Sequence, residues 1–419
     1  MMTTAVIGSG IAGLTAAYLL ERTSEVTLYE ADPRLGGHAD TRTVVPIGDG
    51  APLALDCAFT VYNEHRYPYL SRLLRELGVA THCTEMSLSI RCEGCGIEYS
   101  ARSGLRGLPR DLPAACGQVD IDLLSELVEF NRLARSVIAD RPRHELTLGK
   151  MLADSGVRPY FAQHVVLPLV CIVWSCDPEM ASQYPVATLL DCLDTHGMLT
   201  ASAASRWRTI VGGSTTYVER AAATLTEVLR GTPVRALRRG ADGVEVRDAA
   251  DRVRRFDRAV IATHPDQALQ LLADPTQAEA EVLAAIGYSR NHAVLHTDSS
   301  ILPQQASNRS AWNYRQKSCQ PGSSRPALTY YLNRLHGIDS DTDYLLTLGG
   351  SEWVDPSQVL ARMDYEHPVH TPDSVAARER LPELTSSVVA YAGAYHGVGF
   401  HEDGCRAGAA AAEAFGVVW

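Results

Sequence analysis

The sequence has no excess of positive charge. Of its 419 residues, 38 are Lys or Arg and 49 are Asp or Glu, which gives a net charge of −11. A nucleic-acid-binding protein needs clustered Lys and Arg to neutralise phosphates, and attraction to an anionic lipid surface needs a polybasic segment. We therefore expect no nucleic-acid partner and no electrostatic attachment to a membrane.

Long apolar runs are also missing. The longest candidate, residues 160–174, is shorter than the roughly 18 residues of a transmembrane helix, and His164 and Pro168 interrupt it. No basic region precedes the first apolar stretch, so we predict no signal peptide. Together these features predict a protein without a transmembrane segment, located in the cytoplasm.

Cysteine pairs with metal-ligand spacing are scarce. The ten cysteines are irregularly spaced, which does not favour a disulfide framework. Cys92 and Cys95 form a single CxxC, and a zinc ribbon would need a second such pair. Alternating residues on both sides, with Gly94 and Gly96 between them, favour a β-hairpin over a redox or metal site. No metal site and no Ser-His-Asp arrangement is predicted.

The residues that are present support a folded protein of more than one domain. Hydrophobic residues make up 46% of the chain and charged residues 21%, which is enough apolar material for a sizeable core and excludes wholesale disorder. The length suggests two or three domains.

The first thirty residues predict a nucleotide-binding unit. An apolar strand at 4–7 leads into the glycine-rich turn 8–13, a helix follows at 14–22, and a second strand at 26–29 ends in Glu30. The acid lies 22 positions after the first glycine, which is the spacing of a dinucleotide-binding fingerprint.

The glycines and the acid each have a physical reason. Gly8 permits the tight turn, Gly10 lets backbone amides approach a pyrophosphate, and Gly13 allows the helix to pack closely on the strands. The helix N-terminus offers unpaired N–H groups to an anion. Glu30 can accept hydrogen bonds from ribose hydroxyls and would repel a 2′-phosphate, so NADP is not expected.

The next segment resembles the extended motif of the flavin amine oxidase and phytoene desaturase superfamily. Residues 30–38 read Glu-Ala-Asp-Pro-Arg-Leu-Gly-Gly-His, where family members carry an acid, an Arg, a glycine pair and a basic residue. The resemblance implies FAD as the cofactor, with Arg34 near its phosphates. His38 replaces the Arg of many members. Residues 62–68 and 77–79 narrow the resemblance to a bacterial subgroup of amine-oxidase-like proteins with predicted NAD/FAD binding.

The C-terminus carries the second part of this resemblance. A strand at 387–393 is followed by the turn 394–404 and an Ala-rich helix at 405–415. In the superfamily this helix directs its N-terminus at the flavin, and its dipole stabilises negative charge there. Amine oxidases usually have an acid where this chain has Ala394. Glu402 or Asp403 could substitute for that acid, or Asp403 could simply cap the helix.

The resemblance implies an α/β protein with a discontinuous, Rossmann-like (doubly wound) FAD-binding domain at 1–79, 206–289 and 386–419. An α+β substrate domain is inserted at 80–205 and 290–385. The sequence pattern alone predicts helices at 68–78, 120–140, 148–152, 160–169 and 215–230. It also predicts strands at 293–296, 327–332 and 344–348, which would form a sheet under the flavin ring, and a loop over the pocket at 303–325.

Motif and resemblance together assign two sets of site residues. The cofactor-binding set consists of Gly8, Ser9, Gly10, Ile11, Ala12, Gly13, Glu30, Ala31, Arg34, Gly36, Gly37, His38, Phe59, Val234, Thr263, Gly393, Ala394, Glu402, Asp403 and Gly404. The candidate catalytic set consists of His396, His401, His196, Tyr395 and Trp174. Trp207 also borders these segments, although large aromatic residues more often fill cores.

The expected activity is that of an FAD-dependent oxidoreductase. It would remove a hydride from an amine C–H or a C–C bond of an apolar small molecule, with oxygen or another acceptor reoxidising the flavin. Two alternatives stay open, namely a flavin-dependent isomerase or cyclase without net redox change and a non-catalytic flavoprotein. The sequence also leaves a homodimer open.

Overall fold

A computed structural model describes residues 2–46, 51–105, 123–140, 145–199, 206–320 and 325–419. The start of the predicted helix 120–140 and residues 321–324 of the predicted loop lie outside these ranges. Within the described residues, no helix is both long and apolar enough to span a membrane. None of the nine cysteines described is in a disulfide.

The described residues form twenty strands and fourteen α-helices. The strands are β1 (Met2–Ile7), β2 (Ser24–Tyr29), β3 (Thr41–Val44), β4 (Leu53–Asp56), β5 (Tyr62–Asn63), β6 (Thr81–Cys83), β7 (Leu88–Cys92), β8 (Glu98–Leu105), β9 (Trp207–Ile210), β10 (Glu227–Leu229), β11 (Val234–Gly240), β12 (Gly243–Asp248), β13 (Val253–Phe256), β14 (Arg258–Ile261), β15 (Tyr288–His296), β16 (Trp312–Gln316), β17 (Ala327–Tyr331), β18 (Leu345–Leu348), β19 (Val359–Pro368) and β20 (Val389–Tyr391). The helices are α1 (Ile11–Leu20), α2 (Pro68–Glu76), α3 (Leu123–Asp140), α4 (Leu148–Asp154), α5 (Pro159–Phe161), α6 (Leu167–Trp174), α7 (Pro178–Gln183), α8 (Val186–Thr195), α9 (Thr215–Ala222), α10 (Pro265–Leu271), α11 (Gln277–Ala284), α12 (Leu332–His336), α13 (Pro372–Arg380) and α14 (His401–Ala414).

A five-stranded parallel sheet confirms the predicted Rossmann-like fold. Its strand order is β10-β2-β1-β14-β20, so segments from the start, middle and end of the chain share one sheet. Helices α1 and α14 pack so closely that only glycine fits at position 408. A Cβ there would lie 2.2 Å from the carbonyl oxygen of Ala12. Gly13 has the predicted packing role, since its Cβ would lie 1.9 Å from the Gly8 carbonyl oxygen.

A seven-stranded sheet forms the centre of the inserted part, in the order β19-β15-β18-β17-β16-β7-β8. The predicted hairpin around the CxxC is confirmed as β7 and β8, which pair antiparallel. Strand β7 also pairs with β16, and this pairing is parallel. The helix predicted at 160–169 is longer, because α5 and α6 are joined without a break by a π-helical turn, Ala162–Val166.

Two helix predictions are wrong in their bounds. The helix predicted at 215–230 ends at Ala222, and residues 227–229 instead form the edge strand β10 beside β2. Tertiary pairing overrides the local helical pattern there, because the edge of the parallel sheet offers β10 a hydrogen-bonding partner. The final helix begins at His401 rather than at Cys405.

The strand predictions for the second insertion are incomplete. The segment 303–325, predicted as a loop, contains strand β16. The ten-residue strand β19 was not predicted at all, although it pairs with β15 along the edge of the sheet. Its alternate residues Arg362, Asp364 and Glu366 are charged, which hides the strand pattern in the sequence.

A buried carboxyl group joins two segments of the nucleotide-binding part. Asp56, at the end of β4, accepts hydrogen bonds from the Thr41 hydroxyl (2.6 Å), the Ser214 N–H (2.9 Å) and the Ser214 hydroxyl (2.7 Å). Burial raises the pKa of Asp56 to about 6 despite these donors.

Candidate active site

A cavity of about 1260 Å³ opens at the carboxyl ends of the parallel strands. Residues that follow β1, β2, β14 and β20 form one part of its lining, which is where doubly wound sheets bind their ligands. The seven-stranded sheet, the helical segment that ends at Trp174, and residues 58–61 and 232–235 supply further parts of the lining. The volume exceeds the roughly 300–1,000 Å³ of a site for one drug-sized ligand, so a dinucleotide and a substrate fit together.

One end of the cavity has the features of a nucleotide site. The Glu30 carboxylate, at the end of β2, accepts a hydrogen bond from the Ser9 N–H at 2.9 Å. Gly10 begins α1, lines the cavity, and would place an added Cβ within 4 Å of no protein atom. The Arg34 guanidinium donates to the carbonyl oxygens of Gly37 and Ala39 and so holds the glycine-pair loop beside the turn.

A cluster of histidines surrounds His38. Its ring centroid lies 5.3 Å from that of His367, 6.3 Å from that of His264 and 5.6 Å from that of Tyr365. Burial, followed by repulsion from His264, lowers the pKa of His38 to about 4. Burial, with repulsion from His38, lowers the pKa of His367 to about 3. These rings are therefore neutral at pH 7, and His38 does not supply the positive charge of the Arg it replaces.

The other end of the cavity is aromatic. His196 lies 5.8 Å from Tyr67, 6.1 Å from Trp207 and 5.3 Å from Phe400 between ring centroids, and Trp174 lies 6.0 Å from Phe400. We call these five residues the aromatic end. The Trp174 indole N–H donates to the Val398 carbonyl (3.3 Å), and burial lowers the pKa of His196.

The structure places most of the predicted site residues in the cavity lining. Those in the lining are Gly8, Ser9, Gly10, Ile11, Ala12, Glu30, Ala31, Arg34, Gly37, His38, Phe59, Trp174, His196, Val234, Thr263, Gly393, Ala394, Tyr395 and His401. Those outside the lining that the described residues form are Gly13, Gly36, His396, Glu402, Asp403 and Gly404.

The two predicted catalytic histidines of the C-terminal turn therefore differ. The His401 ring stacks on Phe59 with a centroid distance of 3.5 Å, and its Nε2 lies 3.2 Å from the Tyr217 hydroxyl. His396 lies behind Tyr395, with a ring-centroid distance of 4.8 Å. Burial lowers the pKa of His396 to about 4. Its position outside the lining gives it no direct access to a ligand there.

The acids near the start of α14 have structural partners. The Glu402 carboxylate accepts the N–H groups of Tyr69 and Leu70, each at 3.0 Å, at the N-terminus of α2. The Asp403 carboxylate accepts the N–H groups of Val398 (3.0 Å) and Phe400 (3.1 Å) in the turn before α14. Of the two interpretations that the sequence left open, this geometry favours capping.

We expect Glu402→Ala to destabilise the protein without weakening FAD binding. Two N–H groups at the start of α2, one of them buried, would lose their acceptor, at a cost of about 1–2 kcal/mol in the free energy of unfolding. Glu413→Ala, on the exposed side of the same helix, is the matched control. Denaturant unfolding of the flavin-free protein and FAD titration separate the two roles. A tenfold loss of FAD affinity at unchanged stability would show that Glu402 serves the cofactor instead.

Several lining residues were not among the predicted site residues. Trp312 and Tyr330 come from β16 and β17, and Tyr365 and His367 come from β19. No motif marks them, and neither β16 nor β19 was predicted. Phe400 is the exception, because it lies in the turn 394–404, which is part of the C-terminal resemblance.

The family model for flavin-containing amine oxidoreductases matches residues 11–334. The chain belongs to this family. It is therefore an FAD-dependent oxidoreductase, and the predictions of family, fold class, enzyme class and cofactor are confirmed. No curated protein matches the sequence significantly.

Several solved structures share the fold of this amine oxidoreductase. A putrescine oxidase variant is 12% identical with a TM-score of 0.71, covering 99% of this chain and 98% of its own. Cyclohexylamine oxidase from Brevibacterium oxydans IH-35A is 19% identical with a TM-score of 0.68, covering 99% and 98%. A fatty acid isomerase from P. acnes that produces CLA is 15% identical with a TM-score of 0.69, covering 97% of both chains.

Proposed function

We propose that this oxidoreductase removes a hydride from an apolar small molecule, at a C–H next to nitrogen or at a saturated C–C bond. The aromatic end of the cavity supports this proposal, because its five residues are all ring side chains and none carries a carboxylate. Such a surface binds the apolar part of a substrate because contact with the rings removes its apolar surface from water.

The carboxylates of the cavity argue against a substrate with two positive charges. Two of the five in the described lining are paired with arginines, Asp40 with Arg42 and Asp364 with Arg290, and Glu366 lies within hydrogen-bond distance (3.2 Å) of Nδ1 of the neutral His264. The other two are Glu30 and its neighbour Asp32, at the end of β2, where the nucleotide is expected. A second ammonium group at the aromatic end would thus lose hydration without gaining a carboxylate partner there.

The cofactor-binding residues are proposed on the same geometry. Glu30 would accept the ribose hydroxyls, and the open space at Gly10 would admit the pyrophosphate to the N-terminus of α1. When bound, FAD supplies the hydride acceptor. The start of α14 faces the cavity at His401, so its dipole favours negative charge there. Tyr67, Trp174 and Trp207 exclude water from the reacting C–H bond.

Anaerobic flavin bleaching tests the substrate class. We expect cyclohexylamine or benzylamine, each with one amine on an apolar body, to bleach the flavin at least tenfold faster than putrescine at equal concentration. The imine that forms should weigh two hydrogens less than the amine, and water should then convert it to the ketone or aldehyde with release of ammonia. Equal or faster bleaching by putrescine would contradict the apolar class.

Isomerisation is a second candidate, supported by the shared fold of the fatty acid isomerase. Incubation with a polyunsaturated fatty acid separates the two reactions. A product of unchanged mass would establish isomerisation and contradict net oxidation. A flavin that no substrate of either panel bleaches, with no isomerised product, would favour a non-catalytic flavoprotein.

Substitution at the aromatic end should affect substrate binding more than chemistry. We expect Trp174→Phe to raise KM about tenfold for the best apolar substrate, because part of the aromatic wall and the bond to Val398 are lost, while kcat changes less than threefold. Trp353→Phe is the matched control, since Trp353 lies outside the cavity lining. Equal KM values for the two variants would show that the substrate does not contact Trp174.

A further inference from the structure

Three cysteines and one histidine from distant parts of the chain meet in the inserted domain. The ligand atoms of Cys92, Cys95, His164 and Cys319 all lie within 4.8 Å of one another. The Cys92 and Cys319 sulfurs are 3.5 Å apart, and the Cys95 sulfur is 3.5 Å from His164 Nε2. A zinc ion with Zn–S of about 2.3 Å and Zn–N of about 2.0 Å needs tetrahedron edges of about 3.5–3.8 Å. We call these four residues the tetrad.

Strand pairing explains how the cysteines meet. Cys92 is the last residue of β7 and lies in register with Gln316, the last residue of the parallel strand β16. Cys319 follows Gln316 by three residues, so the thiols of Cys92 and Cys319 both lie at the C-terminal ends of these two neighbouring strands. The turn of the β7–β8 hairpin brings Cys95 to the same place.

The glycines of that turn have a specific task. Gly96 has a φ of 76°, and its N–H donates to the Cys92 carbonyl at 2.9 Å, which closes the turn. A Cβ on Gly94 would lie 3.0 Å from the backbone nitrogen of Cys319. Glycine at this position therefore allows the segment that carries Cys319 to approach the CxxC.

His164 has the orientation of a metal ligand. It is fully buried in the π-helical turn between α5 and α6, and its Nδ1 lies 2.9 Å from the Tyr160 carbonyl oxygen. Because a carbonyl only accepts, Nδ1 is the donor in this contact, which leaves Nε2, the nitrogen that faces the Cys95 sulfur, as the ligand atom. A backbone carbonyl that holds the other ring nitrogen is the usual outer partner of a ligating histidine. Single π-helical turns are also frequent at functional sites.

We propose that the tetrad binds one structural Zn²⁺ ion. Three thiolates and one imidazole complete the four-coordinate shell and leave no open position for a catalytic water. On binding, the three thiols release their protons to solvent. Three tetrad members are buried and Cys319 is half-buried, which gives the ion a route from the surface.

The ion would fix one wall of the active-site cavity. His164 lies in the continuous helical segment that ends at Trp174, and residues 172–175 line the cavity. The tetrad connects this segment to the β7–β8 hairpin and to the C-terminal end of β16. The first residue of β16, Trp312, lines the cavity. Zinc binding thus stabilises the surface against which the substrate packs.

The sequence alone did not reveal this site. The CxxC was predicted as a plain hairpin because no second pair exists, and no metal was expected. His164 is 69 positions from Cys95, and Cys319 is 227 positions from Cys92. Only the pairing of β7 with β16 and the packing of the helix bring the missing ligands to the turn.

Metal analysis of the purified flavoprotein tests the proposal. We expect about one zinc per chain by plasma mass spectrometry after gel filtration without chelator, and less than about 0.1 per chain in Cys319→Ser and His164→Ala. Cys83→Ser, an exposed cysteine outside the tetrad, should keep its zinc. Should the tetrad variants fail to fold, mercurial titration of the wild-type protein should still release about one zinc as its thiols react.

Other results would overturn it. One is a wild-type protein that holds no zinc and takes up none from zinc chloride after reduction. A second is stoichiometric iron in place of zinc, and a third is a disulfide between Cys92 and Cys319 in the isolated protein. These readouts do not depend on catalysis, so they stand apart from the proposed substrate class.

Discussion

Gly10→Val should abolish FAD binding while leaving the fold intact. A valine at this position meets no protein atom at its Cβ, and the φ of −63° and ψ of 173° suit any residue. The side chain would instead occupy the cavity at the N-terminus of α1, where a pyrophosphate must approach the backbone amides. We expect at least a roughly 100-fold loss of FAD affinity, equivalent to about 2.7 kcal/mol.

Two further glycines provide matched controls. Gly287→Val adds the same volume at an exposed position that also has no neighbour for the Cβ, so affinity and stability should both stay near wild type. Gly13→Val should instead destabilise the whole domain, because its Cβ would overlap the Gly8 carbonyl oxygen. Flavin fluorescence titration gives the affinity, and unfolding of the flavin-free proteins gives the stability.

The contrast between Gly10 and Gly13 makes this prediction informative. Both belong to one glycine-rich turn, yet one faces the cavity and the other faces the packing between helix and strand. If Gly10→Val retains wild-type affinity, the nucleotide does not approach the turn as we propose. If its flavin-free form is as unstable as Gly13→Val, the position serves the fold rather than the cofactor.

Local sequence was sufficient to predict the nucleotide-binding unit. Its turn, helix and acid are adjacent in the chain, and two of its residues have their decisive contacts inside the unit, Gly13 with the Gly8 carbonyl and Glu30 with the Ser9 N–H. The C-terminal strand and helix were predicted for the same reason. The start of α14 was misplaced by four residues, because Asp403 was predicted to precede the helix as its N-cap. In the structure Asp403 is the third residue of the helix and accepts the N–H of Phe400, the residue before the helix.

Features that depend on distant pairing could not be predicted in this way. The charged alternate residues of β19 are typical of an exposed segment, and only β15 beside it makes it a strand. Glu402 was considered a cofactor ligand because the N-terminus of α2, 332 positions away from it, is not visible in the local pattern. The tetrad is the extreme case, since its four ligands come from three separate segments.

The free energy of unfolding should fall steeply as the pH is lowered from 7 to 5. Four buried histidines outside the cavity lining have pKa values lowered, first of all by burial, to about 4 (His296, His336, His396) and about 3 (His370). In the unfolded chain their pKa is near 6.5. Below that pH the unfolded chain binds protons that the folded protein does not, so stability falls with pH until the folded pKa is reached.

Two buried carboxyl groups oppose this trend. Burial raises the pKa of Asp56 to about 6 and that of Glu402 to about 7, above the values of the unfolded chain. The folded protein therefore binds their protons first, and lowering the pH through this window stabilises it. These four histidines and two carboxyl groups by themselves leave roughly two protons in favour of the unfolded chain, or about 3 kcal/mol per pH unit between pH 6 and 5. The cavity histidines His38 and His367 act in the same direction as the four histidines.

His296 provides the sharpest test of this balance. Its Nδ1 accepts the Asp298 N–H at 3.1 Å, and its Nε2 lies 2.8 Å from the Thr347 hydroxyl, so protonation at Nδ1 would break a buried hydrogen bond. His296→Gln should reduce the pH dependence by about one proton, or roughly 1.4 kcal/mol per pH unit, whereas His65→Gln, at an exposed position, should not. Guanidinium unfolding of the flavin-free proteins at pH 7, 6 and 5 measures both slopes. If the free energy of unfolding stays flat or rises towards pH 5, the four histidines do not dominate the pH dependence. Either they gain protons in the folded protein as well, or the buried carboxyl groups outweigh them.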